Sequence, residues 1–266
     1  MTESIESRII KPSPKMQYLA GCIYGRGGVG KTTLLGTMPG KGIVIDVPHI
    51  EGGSIVLADH QDRIGLFQAS DWGDLAEIYG YLRNDRHSYK WVAIDTLTAI
   101  QELAKRKTLK DREGILGADP HTISQQDWGK IGQLDAEVYY KFKLLPMHVI
   151  FNAQERLRGT DEGALEYQPD VSPSALSSLL PPMYLVGRLY IQEVTLESGA
   201  TEWQRRLRVG PHYKTVTKVR ALPGRQLPPV IVHPHLGHIF AYLLGKDVPA
   251  PEGVGSEEGG VLGIVD

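Results

Sequence analysis

The run Gly25-Arg-Gly-Gly-Val-Gly-Lys-Thr-Thr33 lies between an apolar stretch, Tyr18-Leu-Ala-Gly-Cys-Ile-Tyr24, and the helix-like Leu34-Leu-Gly-Thr-Met38. Its first eight residues satisfy G-x-x-x-x-G-K-[ST] in the setting that pattern requires, after a strand and before a helix. Four glycines let backbone N–H groups turn inward around phosphates, and the start of a helix behind them adds partial positive charge. Gly25, Arg26, Gly27, Gly28, Val29, Gly30, Lys31, Thr32 and Thr33 are therefore the expected nucleotide-binding residues. Lys31 is expected to reach the β/γ-phosphates and the Thr32 hydroxyl to take the metal, so ATP and Mg²⁺ are the expected cofactors.

Working outward from that run, short β-branched segments alternate with helical patterns, which argues for a parallel sheet covered by helices. Strands are expected over 19–24, 43–46, 91–95, 149–153 and 185–194, and helices over 31–38, 71–83 and 124–145. From about 185 two alternating runs flank Glu197-Ser-Gly-Ala200 and read as a β-hairpin, so the sheet should continue antiparallel there. The expected fold is α/β, a mostly parallel sheet flanked by helices with an antiparallel C-terminal hairpin extension. Residues 1–17 read as an N-terminal arm, 18–245 as one domain, and 246–266 as an acidic, Gly/Pro-rich, disordered tail.

Composition sets bounds on function. The chain has 266 residues, 41% of them hydrophobic, enough for a core without staples. A net charge of −2 carries no bulk signature of a nucleic-acid binder, so any such surface must be local. The single cysteine, Cys22, sits in the first apolar run and reads as a small core residue; with no partner for a disulfide, it fits a reducing cytoplasm. No apolar run approaches the ~18 residues of a membrane span, and the N-terminus is polar. A cytoplasmic protein without a membrane partner is expected.

A magnesium site needs a carboxylate at the end of a neighbouring strand, and Trp91-Val-Ala-Ile-Asp95 supplies Asp95. Hydrolysis also needs a group to position water. Glu51, in a loop before two glycines, is favoured as the base, with Asp46 at the end of its strand as the alternative. Gln154, just past the fourth expected strand, can hydrogen-bond the γ-phosphate or the attacking water. His233, His235 and His238 have no acid or cysteine beside them to complete a metal site and read as residues at the start of a helix.

From Arg26 the segment reads R-G-G-V-G-K-T-T and resembles the K-G-G-V-G-K-T-T of ParA/MinD-type partition and positioning ATPases, with Arg26 where that family's leading lysine crosses to a partner subunit. The wider pattern is similar to phage-encoded, AAA-annotated RecA-like P-loop ATPases, a group that includes single-strand annealing ATPases. It rests on Gly25 to Thr33, Glu51-Gly-Gly-Ser54, Trp91-Val-Ala-Ile-Asp-Thr-Leu-Thr98, Gln126-Asp-Trp-Gly-Lys130, Pro169-Asp-Val-Ser-Pro-Ser174 and Thr217-Lys-Val-Arg-Ala-Leu-Pro223, in order over roughly 18 to 245.

That resemblance implies an oligomeric, DNA-stimulated ATPase, a filament or ring, that binds single-stranded DNA and promotes annealing or recombination. It also implies a phage source, the cytoplasm of an infected bacterial host, and a phage or host single-strand-binding protein as partner. A ParA/MinD-like switch or a phage replication or packaging accessory remains the alternative. In RecA-like filaments a basic pair on the neighbour reaches the γ-phosphate, and Lys218 and Arg220, two apart on an extended segment and so on one face, resemble it. The two mobile DNA loops of such proteins correspond to 107–124 and 156–169, with Gly114, Gly117, Gly159 and Gly163 for flexibility and Trp128 or Tyr167 for stacking. Lys105, Arg106, Lys107, Lys110, Arg112, Arg156 and Arg158 are the expected DNA contacts; a second basic cluster spans 201–225.

Overall fold

The computed structural model describes residues 18–84, 86–113, 122–159, 163, 165–195 and 199–255. The quoted run opens the fold: β1 (Ala20–Gly25) enters it and α1 (Lys31–Leu35) leaves it. There follow β2 (Gly42–Asp46), a 3₁₀ helix (Ser54–His60), β3 (Ile64–Gln68), α2 (Trp72–Arg83), β4 (Trp91–Asp95) and α3 (Leu97–Lys110). Next come α4 (Gln125–Lys143), β5 (His148–Gly159), β6 (Leu165–Pro169), α5 (Pro173–Leu179), β7 (Leu185–Thr195) and β8 (Thr201–Arg208). The chain closes with β9 (Lys218–Val219), β10 (Val230–Val232), α6 (Leu236–Leu243) and β11 (Gly253–Val254).

The strands lie in the order β11-β10-β8-β7-β1-β5-β4-β2-β3. From β3 to β7 all neighbours are parallel; β8, β10 and β11 are then added antiparallel. This is the expected α/β layout. The inner strands are buried on both faces, which is why they read as unbroken apolar runs rather than alternating ones. Cys22, Tyr24, Ile45 and Ile94 point into a core closed by α2, α3, α4 and α5 through Ile78, Ile100, Tyr139 and Leu179. Ile23, Val44 and Ala93 point the other way, onto Leu34 of α1 and Ile239 and Phe240 of α6. No helix among the described residues is long and apolar enough to cross a membrane.

Helix starts follow local chemistry. Asp71 and Asp74 form a reciprocal capping box on α2, Ser124 and Asp127 form one on α4, and Ser172 caps α5 with Pro173 in its first turn. Each such cap contributes ~1 kcal/mol. His235 caps α6 by accepting the His238 N–H at 3.1 Å, so the histidines do stand at a helix start.

Several expectations need correction. The expected helix over 31–38 is α-helical only to Leu35 and then tightens into turns up to Met38. The segment 156–169, expected as a mobile loop, is a hairpin arm: β5 runs on past the sheet to Gly159 and pairs antiparallel with β6 from Glu155 opposite Pro169 to Gly159 opposite Leu165. Arg156 and Arg158 are strand residues there. Of 107–124, Lys107 to Lys110 complete α3, an amphipathic helix not anticipated, capped by Thr96; Gly114 and Gly117 lie outside the described residues. The tail is not irregular from 246, because β11 pairs with β10. The arm 1–17 and residues 256–266 lie outside the described residues.

Candidate functional site

At the end of β1 the backbone folds back on itself. Gly28 (φ 81°) and Gly30 (φ 94°) take left-handed conformations that favour glycine. The opening of α1 follows at once, and its first N–H groups have no partners within the helix. Lys31 is buried, and its ammonium donates to the carbonyls of Gly25 (2.8 Å) and Arg26 (2.9 Å) and to Gln154 Oε1 (3.0 Å). Burial pushes this lysine below its ordinary range, while the charges of Asp95, Glu51 and Glu155 pull it back up. Thr32 and Thr33 line the cavity in front of the loop; the Arg26 side chain points outward, 82% exposed and 3.8 Å from Glu155.

Asp95 ends β4, two strands from β1, and the register sets it beside Asn152 of β5. The Thr32 hydroxyl donates to Asp95 Oδ2 at 2.6 Å and Asn152 donates to Oδ1 at 3.1 Å. Burial raises the Asp95 carboxyl above the usual range, opposed by these two hydrogen bonds and by Lys31; Glu51 adds to the rise. A hydroxyl and a buried carboxylate side by side are hard oxygen donors of the kind a magnesium ion takes, and Asn152 Oδ1, buried and without a hydrogen-bond partner, adds a polar atom close by. These residues fit that ion.

The loop after β2 turns back on itself: the Val47 carbonyl accepts from the N–H groups of Ile50 and Glu51 at 2.9 and 3.0 Å. This brings Glu51 over the site despite the four residues between it and the end of β2. Its carboxylate accepts from the Thr96 hydroxyl (2.9 Å) and from Gln154 Nε2 (3.1 Å). Gln154 thus bridges Lys31 and Glu51, and its own N–H is fixed by the Thr98 hydroxyl at 3.2 Å. Asp46 is buried and accepts from Ser54 at 2.8 Å, away from the cavity lining. The cavity, about 270 Å³, is walled by Gly27, Gly30, Lys31, Thr32, Glu51, Asp95 and Gln154. That arrangement can cradle a polyphosphate, hold a divalent cation on one side and place a carboxylate within reach of a water on the other.

Two contributors were missed by sequence reasoning. Asn152 lies inside an apolar run, and only the β4–β5 register brings it to Asp95. Arg205, from β8, donates through Nε to the Val29 carbonyl at 2.9 Å and lies flat against Gly30, where a β-carbon would meet its guanidinium at 2.6 Å. Nothing in the sequence links 205 to 29.

The remaining expected residues lie elsewhere. Lys218 and Arg220 do not line the phosphate cavity of their own chain; Lys218 donates to the Leu180 (2.6 Å) and Pro181 (2.9 Å) carbonyls beyond α5, whereas Arg220 is exposed. Lys105 pairs with Glu102 and lies over the Trp128 ring; Lys107 pairs with Asp111, Arg112 with Asp127, and Arg156 with Asp170. Arg106, Lys110 and Arg158 are exposed with no ion pair among the described residues.

A family model described as an AAA domain matches residues 17–221. No curated protein matches the sequence. Among solved structures, a KaiC-like protein from the hyperthermophilic archaeon Pyrococcus horikoshii OT3 is similar at a TM-score of 0.42 and 13% identity, over 81% of this chain and 89% of that one.

Proposed function

The chain belongs to the AAA-domain family and is a P-loop ATPase, and from that premise we propose that it is an ATP-dependent single-stranded-DNA-binding protein that promotes annealing or homologous recombination. It acts as an oligomer, with ATP at the seam between subunits. Thr32 and Asp95 would hold Mg²⁺, which would supply positive charge to neutralise the phosphates. The backbone of Gly27 to Lys31 cradles the phosphates, and Lys31 turns from its carbonyl partners to the β/γ-oxygens. Glu51, aligned by Thr96 and Gln154, orients the attacking water and takes its proton. Arg220 of a neighbouring copy meets the γ-phosphate; contacts of that kind are worth ~10³–10⁵ in rate.

The observation that carries this reading is the position of Gln154. Its side chain joins Lys31 to Glu51, and its strand runs directly into the β5–β6 arm that bears Arg156 and Arg158. A γ-phosphate that displaces Gln154 from Lys31 would move the root of the arm that carries Arg156 and Arg158, a nucleotide-dependent movement of the kind this reading needs. The test is binding of a labelled single strand with and without a non-hydrolysable ATP analogue and Mg²⁺ at moderate salt. Tighter binding with the analogue is expected; no binding in either state rejects the reading.

A second reading is favoured by Arg26 alone. In the sequence it takes the place of the lysine that a ParA-like dimer sends across its interface, and its side chain is exposed. If Arg26→Ala abolishes dimerisation while Lys218→Ala and Arg220→Ala leave hydrolysis intact, that switch is the better account.

A further inference from the structure

On the face of β7 and β8 opposite Leu189 and Leu207, arginines stand in adjacent cross-strand rungs, Arg188 opposite Arg208 and Tyr190 opposite Arg206. Like charges directly opposite one another weaken a strand pair, so this placement calls for a compensating group. Arg188 has one: it donates to Glu155 at 2.8 Å and its guanidinium lies 3.7 Å over the Tyr167 ring. Arg206 is held by Gln204 and Gln192. Arg208 is only 6% exposed, its Nη1 has no hydrogen-bond partner, and no described carboxylate pairs with it. A buried guanidinium left without an anion is strongly unfavourable.

More positive charge gathers beside it. In the loop after β8, the Lys214 carbonyl accepts from the Tyr167 N–H at 2.8 Å, tying the loop to β6. His212 is pushed below the ordinary histidine range, first by burial and then by the charges of Arg208, Lys214 and Arg188. Tyr213, between His212 and Lys214 in the chain, is 71% exposed, its ring 4.9 Å from that of His212 and 5.1 Å from the Lys214 ammonium. The chain has 31 carboxylate side chains, yet among the described residues only Glu155 is paired to this cluster.

We propose that this surface, formed by Arg188, Arg208, His212 and Lys214 with the rings of Tyr167 and Tyr213, is where a single-stranded nucleic acid lies. The cations take phosphates and the exposed Tyr213 stacks on a base, the combination that holds single strands without reading their sequence. An acidic peptide would satisfy the charges but leave the ring unused. The proposal rests on the DNA-binding reading above and moves the main contact from α3 to the antiparallel extension. It also supplies a route to the nucleotide. Glu155 follows Gln154 in sequence and serves both Arg188 and, at 3.8 Å, Arg26 of the phosphate loop. Those residues and Tyr167 wall a cavity of about 430 Å³ that shares Gly27 and Gln154 with the phosphate site.

The test uses the full chain, a fluorescein-labelled oligothymidylate, a non-hydrolysable ATP analogue and Mg²⁺, in a salt titration. Tyr213→Ala is expected to weaken binding by about tenfold or more. Lys214→Glu is expected to weaken it as much and to shallow the salt dependence by ~0.7 in log–log slope for each phosphate that is no longer neutralised. Both side chains are exposed, so folding is not at stake. Arg106→Glu and Lys110→Glu on α3 are expected to bind as wild type. Arg208→Met should weaken binding while its melting temperature holds or rises, because an uncompensated charge is removed. Wild-type affinity in Tyr213→Ala and Lys214→Glu overturns this placement, as does loss of affinity in the α3 variants alone. Polyglutamate that competes as well as unlabelled oligothymidylate overturns the choice of ligand. Wild-type protein that binds no oligothymidylate in either state overturns the underlying DNA reading instead.

Discussion

The phosphate site and the basic face of β7 and β8 are built on neighbouring strands yet treat buried charge in opposite ways. At the phosphate site each buried charged group is matched. Lys31 has three acceptors, Asp95 two donors and Glu51 two more. The groups proposed to meet ligand are held in place by partners they can exchange, so arriving phosphates would displace those partners, Gln154 among them, without leaving a buried charge unmatched. On the basic face Arg208 is buried without such a match. A smaller case lies in the helical layer: Asp135 of α4 is fully buried, accepts from Gln101 at 2.7 Å, and leaves its other oxygen without a partner. Matched charge marks pre-organisation, whereas unmatched charge marks a place where stability has been given up.

Six substitutions test that contrast. The largest effect is expected at its centre. Lys31→Ala should lower steady-state ATP turnover by about 10²–10³-fold or more, since it removes a fixed cation from the transferring phosphoryl group. A variant with near wild-type turnover would mean that the matched network is only structural. Next, Glu51→Gln should retain nucleotide binding but lose about 10²–10⁴-fold in turnover, the usual worth of a positioned base. Asp46→Asn, which touches Ser54 rather than the cavity, should keep most activity. The reverse pattern would reassign the base.

Third, Arg220→Ala should slow hydrolysis at protein concentrations that support assembly and change little on dilution. Lys218→Ala should have the smaller effect on rate, because that ammonium is committed to the Leu180 and Pro181 carbonyls. Equal rates at all dilutions in the wild type would remove the need for a neighbouring cation.

The smallest effect concerns Asp135, whose carboxyl burial pushes up to about 7 from 3.8. In that window the folded state holds a proton that the unfolded state has released, so stability should fall as pH rises from about 4 through about 7. Asp135→Asn keeps an acceptor for Gln101 and removes the titration. It should flatten this part of the melting-temperature profile and melt higher than wild type at pH 8, as measured by circular dichroism. An unchanged slope would place the titrating charge elsewhere.

Legibility in the sequence follows locality. The phosphate loop, Asp95 at a strand end and Asp71 and Ser124 as caps are readable because neighbours in the chain supply their chemistry. The β5–β6 arm reads as a loop because Gly159 and Gly163 suggest breaks, whereas the strand is carried through by cross-strand pairing that local composition does not encode. The expected DNA contacts on α3 and just beyond it rest on a run of positive charge, and ion pairs with Glu102, Asp111 and Asp127 claim Lys105, Lys107 and Arg112.

The amino-acid sequence by itself determined that the chain would cradle a phosphate on a parallel, helix-covered sheet. Nine consecutive residues carry the cradle, and buried strands advertise themselves as apolar runs. Only the tertiary structure decided which partners complete it. Glu51 meets Gln154 across 103 positions and Asp95 meets Asn152 across 57, pairings fixed by sheet order and register rather than by any local preference. The same holds for Arg208, whose want of an anion is visible only once the packing that buries it is known.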